Sequence, residues 1–243
     1  ARKGEGGDGW PWVAEGTLTP SDFDADGNFL ILWDHLQRSR WQEALAWWEG
    51  VPEEAPPAFP ALFWAGAHVA LAYGVPEPMR WIVLHGPPIA DEMPLVDDPN
   101  GLKARRKAAE LFARFQVSAN TLGMSKIATT AQEYELWLRL RDRVSQSAAA
   151  TEVAQLWDKS GHDSRWIPLA IQAGVQIDLS SLAKELDRRG KLYGSLNYED
   201  ARARLALLLS SNAKEWIDQW PSLHDQFKPY FSVPLLQHCE IQG

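Results

Sequence analysis

Only one cysteine, Cys239, occurs in the 243 residues, so no disulfide can form within the chain and a reducing compartment fits best. No apolar run reaches the roughly 20 residues that a membrane-spanning helix needs; the best candidate, residues 61–74, stops short. Residues 1–9 lack the apolar core of a secretory signal, so the expected location is cytoplasmic. Basic charge is in the minority: 24 Lys and Arg against 32 Asp and Glu leave a net charge of −8. That balance disfavours bulk binding to nucleic acid or to an anionic membrane, although a local basic patch can survive it.

Catalytic signatures are missing too. The six histidines (His35, His68, His85, His162, His224 and His238) form no i, i+4 pair and no HExxH, so a helical zinc site is not supported. There is no Gly-rich phosphate loop and no G-x-S-x-G elbow. His238 and Cys239 are adjacent in sequence, and such neighbours rarely face each other. His162-Asp163, in a glycine-containing loop, is an acid–base pair that reads better as surface. No cofactor is expected.

Tryptophan, by contrast, is abundant: 13 residues, most at helical core spacing. The stretch from Arg40 to Gly74 organises the chain as a helical hairpin. In its first segment Trp41, Ala44, Leu45 and Trp48 fall on one stripe, which leaves Trp47 facing outward. In its second, Phe63, Ala67, Ala70, Leu71 and Gly74 line one face, and Trp64, His68 and Leu71 another. So little of that circumference is polar that the helix should be buried nearly all round. His68 is expected to be a core imidazole bonded to a carbonyl.

The run Trp41-Gln42-Glu43-Ala44-Leu45-Ala46-Trp47-Trp48, followed by Trp64, Ala67, Leu71 and Tyr73, resembles the tetratricopeptide-type helical repeat. The resemblance covers about 35 residues, with His68 where that family usually has Gly. It implies a mainly α fold, a compact multi-helix stack of repeat-like hairpins that presents a groove to a protein partner.

Elsewhere, residues 1–18 read as an arm, flexible or docked by Trp10 and Trp12. Thr19-Pro20-Ser21-Asp22 reads as N-cap, proline at N1 and an acid at N3. Asp22, Asp24, Asp26 and Gly27 reproduce the first six positions of a calcium loop, but position 12 holds Trp33 where a bidentate Glu belongs. Helix capping is therefore preferred, with calcium at Asp22, Asp24 and Asp26 as the alternative. A helix over 29–38 leads into the hairpin.

Residues 75–101 form a proline-rich irregular segment that contains Trp81 and an acidic run, and close an N-terminal subdomain at 19–101. The C-terminal subdomain, 102–243, opens with a helix over 102–115. Lys103, Arg105, Arg106, Lys107 and Arg114 make it basic, and a turn at 117–122 leads to a second helix. This is a helix-turn-helix pattern, and it resembles the DNA-binding segment of some phage terminase small subunits. Further helices are expected at 131–145, at 182–189 closed by Gly190, at 198–209 capped by Asn197, and at 213–220. Leu156-Trp157-Asp158 with Ser164-Arg165-Trp166 echoes Leu32-Trp33-Asp34 with Ser39-Arg40-Trp41, half a chain earlier.

The leading functional expectation is a non-enzymatic adaptor or assembly component that binds a protein partner through a helical groove lined by Trp47, Trp64, His68 and Trp81. A DNA-binding subunit of a packaging or regulatory complex, working through residues 102–127, is the alternative. An unrecognised enzyme is third.

Overall fold

Helix is what these periodicities produce. The computed structural model describes residues 18–52, 60–75, 87, 89, 98–210, 218, 220 and 227, and among these nine α-helices and no strand are present. No described helix is long and apolar enough to cross a membrane. The predicted helix at 213–220 and the segment around Trp81 lie outside the described residues.

The first of two compact units holds α1 (Ala25–Gln37), α2 (Trp41–Glu49), α3 (Pro60–Tyr73), α4 (Pro99–Thr121) and most of α5 (Ser125–Leu140). Its start is the one the sequence spells. Thr19 donates from its backbone N and its hydroxyl to the Asp22 carboxylate, at 2.7 and 2.8 Å, with Pro20 opening a 3₁₀ turn. Ile31, Leu32 and Leu36 of α1 meet Trp41, Ala44 and Trp47 of α2 and Leu62, Ala65, Val69 and Ala72 of α3 in one core. Tyr73 donates its hydroxyl to the Trp41 carbonyl at 2.8 Å, which clamps the hairpin.

Every residue from Ala65 to Ala72 is buried, as a helix without a polar face requires. Its second side is covered by α4, whose stripe of Ala108, Leu111, Phe112 and Phe115 is buried. Arg105 reaches the end of α3 at Gly74 while Arg114 lies over Phe63 near its start, so α3 and α4 run antiparallel. With α4 packed on α3 in this way, the first unit runs on to Leu138, while Pro87–Met93 joins the second.

The second unit holds α6 (Gln146–Lys159), a 3₁₀ turn at Ser164–Trp166, α7 (Ile167–Gln172), α8 (Leu179–Tyr193) and α9 (Tyr198–Leu209). Here α9, capped by Asn197 as expected, is enclosed from Asp200 to Leu208. Its apolar side joins Ile89, Leu196 and Phe227. Three of its charged side chains are spent internally: Arg204 on Asp187 at 2.8 Å, Asp200 on Arg189 at 3.3 Å, and Arg202 on the Pro87 carbonyl at 3.2 Å.

Two sequence boundaries move. The helix expected at 131–145 is the end of α5, a turn, and then α6, with the Ser145 hydroxyl donating to the Arg139 carbonyl at 3.1 Å across the break. Gly190 lies inside α8, and Gly194, at φ 78°, closes it instead.

Between α1 and α2 the left-handed position that ends a helix falls on Ser39, at φ 57°. The turn is closed by Arg40 N donating to the His35 carbonyl at 2.8 Å and Ser39 N to the Leu36 carbonyl at 3.1 Å, the arrangement for which glycine is preferred. Ser39→Gly is therefore expected to raise stability by about 0.5–1 kcal/mol, because relief of the left-handed strain outweighs the greater freedom of glycine in the unfolded chain. A shift of the urea midpoint to higher concentration checks this.

Candidate functional site

The most unusual chemical group in the described structure is His68. It sits at the middle of α3, fully buried, and neither Nδ1 nor Nε2 has a hydrogen-bond partner. The expected carbonyl is not there. Helix α3 uses its own carbonyls in its ladder, and what reaches the ring from neighbouring helices is aromatic. Trp64, one turn earlier, lies 4.8 Å away between centroids, Tyr134 of α5 5.2 Å, Phe112 of α4 5.3 Å and Trp33 of α1 6.4 Å, all at steep interplanar angles. Phe112 and Tyr134 stack face to face at 4.6 Å, which fixes α4 against α5 beside the imidazole. Burial alone pushes the His68 pKa down to about 3. The ring is thus neutral at any ordinary pH, and no charged side chain perturbs it.

The proposed partner-facing residues are distributed differently from the expectation. Trp47 faces inward, its Nε1 donating to Asn28 Oδ1 at 2.9 Å and its ring meeting Phe23 at 5.6 Å. Trp48, expected in the core, is half-buried and lies against Gly66 of α3. The α2 stripe is therefore turned by one residue, because the two indoles serve two neighbours: Trp47 serves α1 and Trp48 serves α3. Trp64 and His68 are brought together, but inside the unit. Trp81 lies outside the described residues.

The aspartate run acts on the backbone. Asp22 accepts from Thr19, Asp24 Oδ1 caps α1 by accepting from Gly27 N at 2.9 Å, and Asp26 is exposed in the first turn of α1. Among the described residues no three His, Cys, Asp or Glu side chains converge in a way that holds a metal ion. What converges instead is a set of carbonyls on Asn28. Its Nδ2 donates to the carbonyls of Pro20, Phe23 and Asp24 at 3.0, 3.2 and 3.1 Å. Sequence reasoning passed over Asn28. Its signal was a poor helix former placed between the calcium-like run and an apolar stripe.

The basic helix is also changed. Residues 117–121 are helical, and the turn comes later, at Leu122–Met124, because Ala119 is buried and Gly123 supplies φ 74°. Arg105 is buried with its stem over Gly74 and donates to the Gly74 carbonyl at 3.4 Å. Lys107 pairs with Glu110 at 3.2 Å, and Arg114 sits 4.4 Å over the Phe63 ring. Lys103 and Arg106 are exposed. Arg105, Lys107 and Arg114 are thus engaged within the unit.

At the α4–α5 turn, residues 120–127 are all exposed, and four apolar side chains stand out from it. Val117 is 67% exposed, Leu122 55%, Met124 44% and Ile127 36%. His162 lies on the surface of the second unit at φ 67°, stacked on Trp157 at 4.7 Å with Nε2 4.0 Å from Asp158. No protein-family model matches the chain, and no curated protein sequence or solved structure is significantly similar to it.

Proposed function

We propose that the chain is a non-enzymatic adaptor or assembly component, and that its protein partner docks on the turn between α4 and α5. The observation that carries this reading is the group of exposed apolar side chains Val117, Leu122, Met124 and Ile127 in one short stretch. Such side chains gain little by standing in water, and an apolar contact there would be rimmed by the Thr121 hydroxyl and Lys126. The tetratricopeptide-like reading of residues 40–74 belongs to the same proposal: α2 and α3 pair as a hairpin, the building block of helical-repeat adaptors. In this version the buried rings of Trp47 and His68 and the half-buried ring of Trp64 shape the scaffold and do not touch the partner.

The test compares the wild-type full chain with Leu122→Asp/Ile127→Asp in capture from the native host. At such exposed positions the stability change should stay within about 0.5 kcal/mol per site. Loss of one stoichiometric protein with an unmoved melting temperature is the expected result, and undiminished capture would overturn the proposal. Salt-sensitive retention on duplex DNA that is lost with Lys103→Gln/Arg106→Gln would favour the DNA-binding subunit instead.

A further inference from the structure

We propose that protonation of His68 opens the seam between α3, α4 and α5, so that the first unit carries an acid-responsive latch which displays Phe112 and Tyr134 when released. The geometry is that of a bistable contact. The neutral ring fits as one more flat side chain among Trp33, Trp64, Phe112 and Tyr134. Each of its nitrogens, however, already lacks a partner in the closed form. Adding one proton from solvent gives two N–H donors and a full charge with no acceptor in reach. Such a buried cation is costly, and it is relieved once the seam parts and water enters.

The groups that meet the ring offer no compensation. Helix α1 brings Trp33, α3 brings Trp64, and α4 brings Phe112, none of which titrates. Helix α5 brings the Tyr134 phenol, which stays neutral throughout the acid range. The nearest cations along α4, Arg105 and Arg114, are held at Gly74 and Phe63. On α1, Asp34 pairs with Arg38 through Oδ1 while its Oδ2 is buried without a hydrogen-bond partner and makes no bond to His68, and Glu133 on α5 is buried among contacts of its own. Accordingly, burial is the sole influence on the imidazole.

The sign follows from linkage. The closed form binds the proton far more weakly than the open form, whose histidine titrates near 6.5. The closed form is therefore fully favoured above about pH 6.5, and the ratio of open to closed rises about tenfold for each unit below it, down to about pH 3. His35 is the confounding group. Burial lowers its pKa, against the opposing pull of Asp34 and Glu43.

The experiment is amide hydrogen exchange on the full chain between pH 7.5 and 4.5, with each rate corrected for the intrinsic effect of pH. Peptides from α3, α4 and α5 should lose protection about tenfold per unit below pH 6.5, while α1 and α2 lose less. His68→Leu should flatten this dependence and His35→Gln should keep it. Overturning results are a flat wild-type profile, a slope that persists in His68→Leu, or equal loss across α1 and α2. Should His68→Leu fail to fold, an NMR titration of the wild-type ring decides. A ring that stays neutral until protection falls supports the latch, and one that titrates near 6.5 with protection intact refutes it.

Discussion

Asn28→Asp, a change of one atom type, should lower the stability of the first unit by about 3–5 kcal/mol at pH 7, the usual result of an uncompensated buried charge. The amide is buried with all its polar capacity used: Nδ2 donates towards three carbonyls and Oδ1 accepts from Trp47 Nε1. Trp47 can only donate, so the orientation of the amide is fixed by its partners. A carboxylate would keep the bond to Trp47 but would face three oxygens with no proton between. That raises the pKa of the new acid, so the loss should shrink as pH falls towards 4 and the carboxyl regains a proton. Asn28→Ala removes both functions without adding charge and should cost about 2–4 kcal/mol at every pH, from lost bonds and a stranded indole N–H. Urea unfolding at pH 7 and pH 4.5 separates the two. Equal losses at both pH values for Asn28→Asp would show that the site admits water.

Gly66→Ala should change sign with its neighbour. A Cβ on Gly66 would fall between 2.2 and 2.6 Å from three atoms of the Trp48 ring, far inside contact distance. With Trp48 in place the substitution is expected to cost about 1–3 kcal/mol, the usual range for forcing extra volume into a packed contact. In a Trp48→Ala background these three nearest obstacles are gone, and helix propensity should make the same change stabilising by about 1 kcal/mol. The coupling in this double-mutant cycle is the diagnostic quantity. If Gly66→Ala stabilises the wild-type chain, the indole swings aside freely and the α2–α3 contact is not close-packed.

Much of the architecture was legible because it follows from period and punctuation. The Thr19-Pro20-Ser21-Asp22 start and the Asn197 cap stand where a hydroxyl, amide or carboxylate can satisfy the first free N–H groups. Burial of the whole circumference of α3 followed from its lack of polar residues. Less legible was the rotation of α2, since Trp47 and Trp48 are equal on any hydropathy scale. Only the partner in space, Asn28 for one and Gly66 for the other, distinguishes them. The end of α4 was misread for a similar reason. Val117, Ser118 and Asn120 look like turn residues, and the helix runs through them because Ala119 is anchored in the core. Arg105 was read as a surface charge because nothing in the sequence shows a bare Gly74 across from its stem. The echo of Leu32-Trp33-Asp34 at Leu156-Trp157-Asp158 is real as a turn, with Trp41 and Trp166 both buried at the next helical start. Its register differs, since Leu32 is fully buried in the first copy whereas Leu156 is half-buried and Trp157 buried in the second.

The enclosure of α3 bears on how the chain is made. Among the described residues its coverings are α1 and α2, which precede it, and α4 and α5, which follow. Thr121 leaves the ribosome roughly 50 residues after Tyr73, so at common synthesis rates one flank of an oily segment waits several seconds for its cover. During that interval Phe63, Trp64 and Leu71 are a target for aggregation, and a chaperone that shields nascent chains would find its best substrate here.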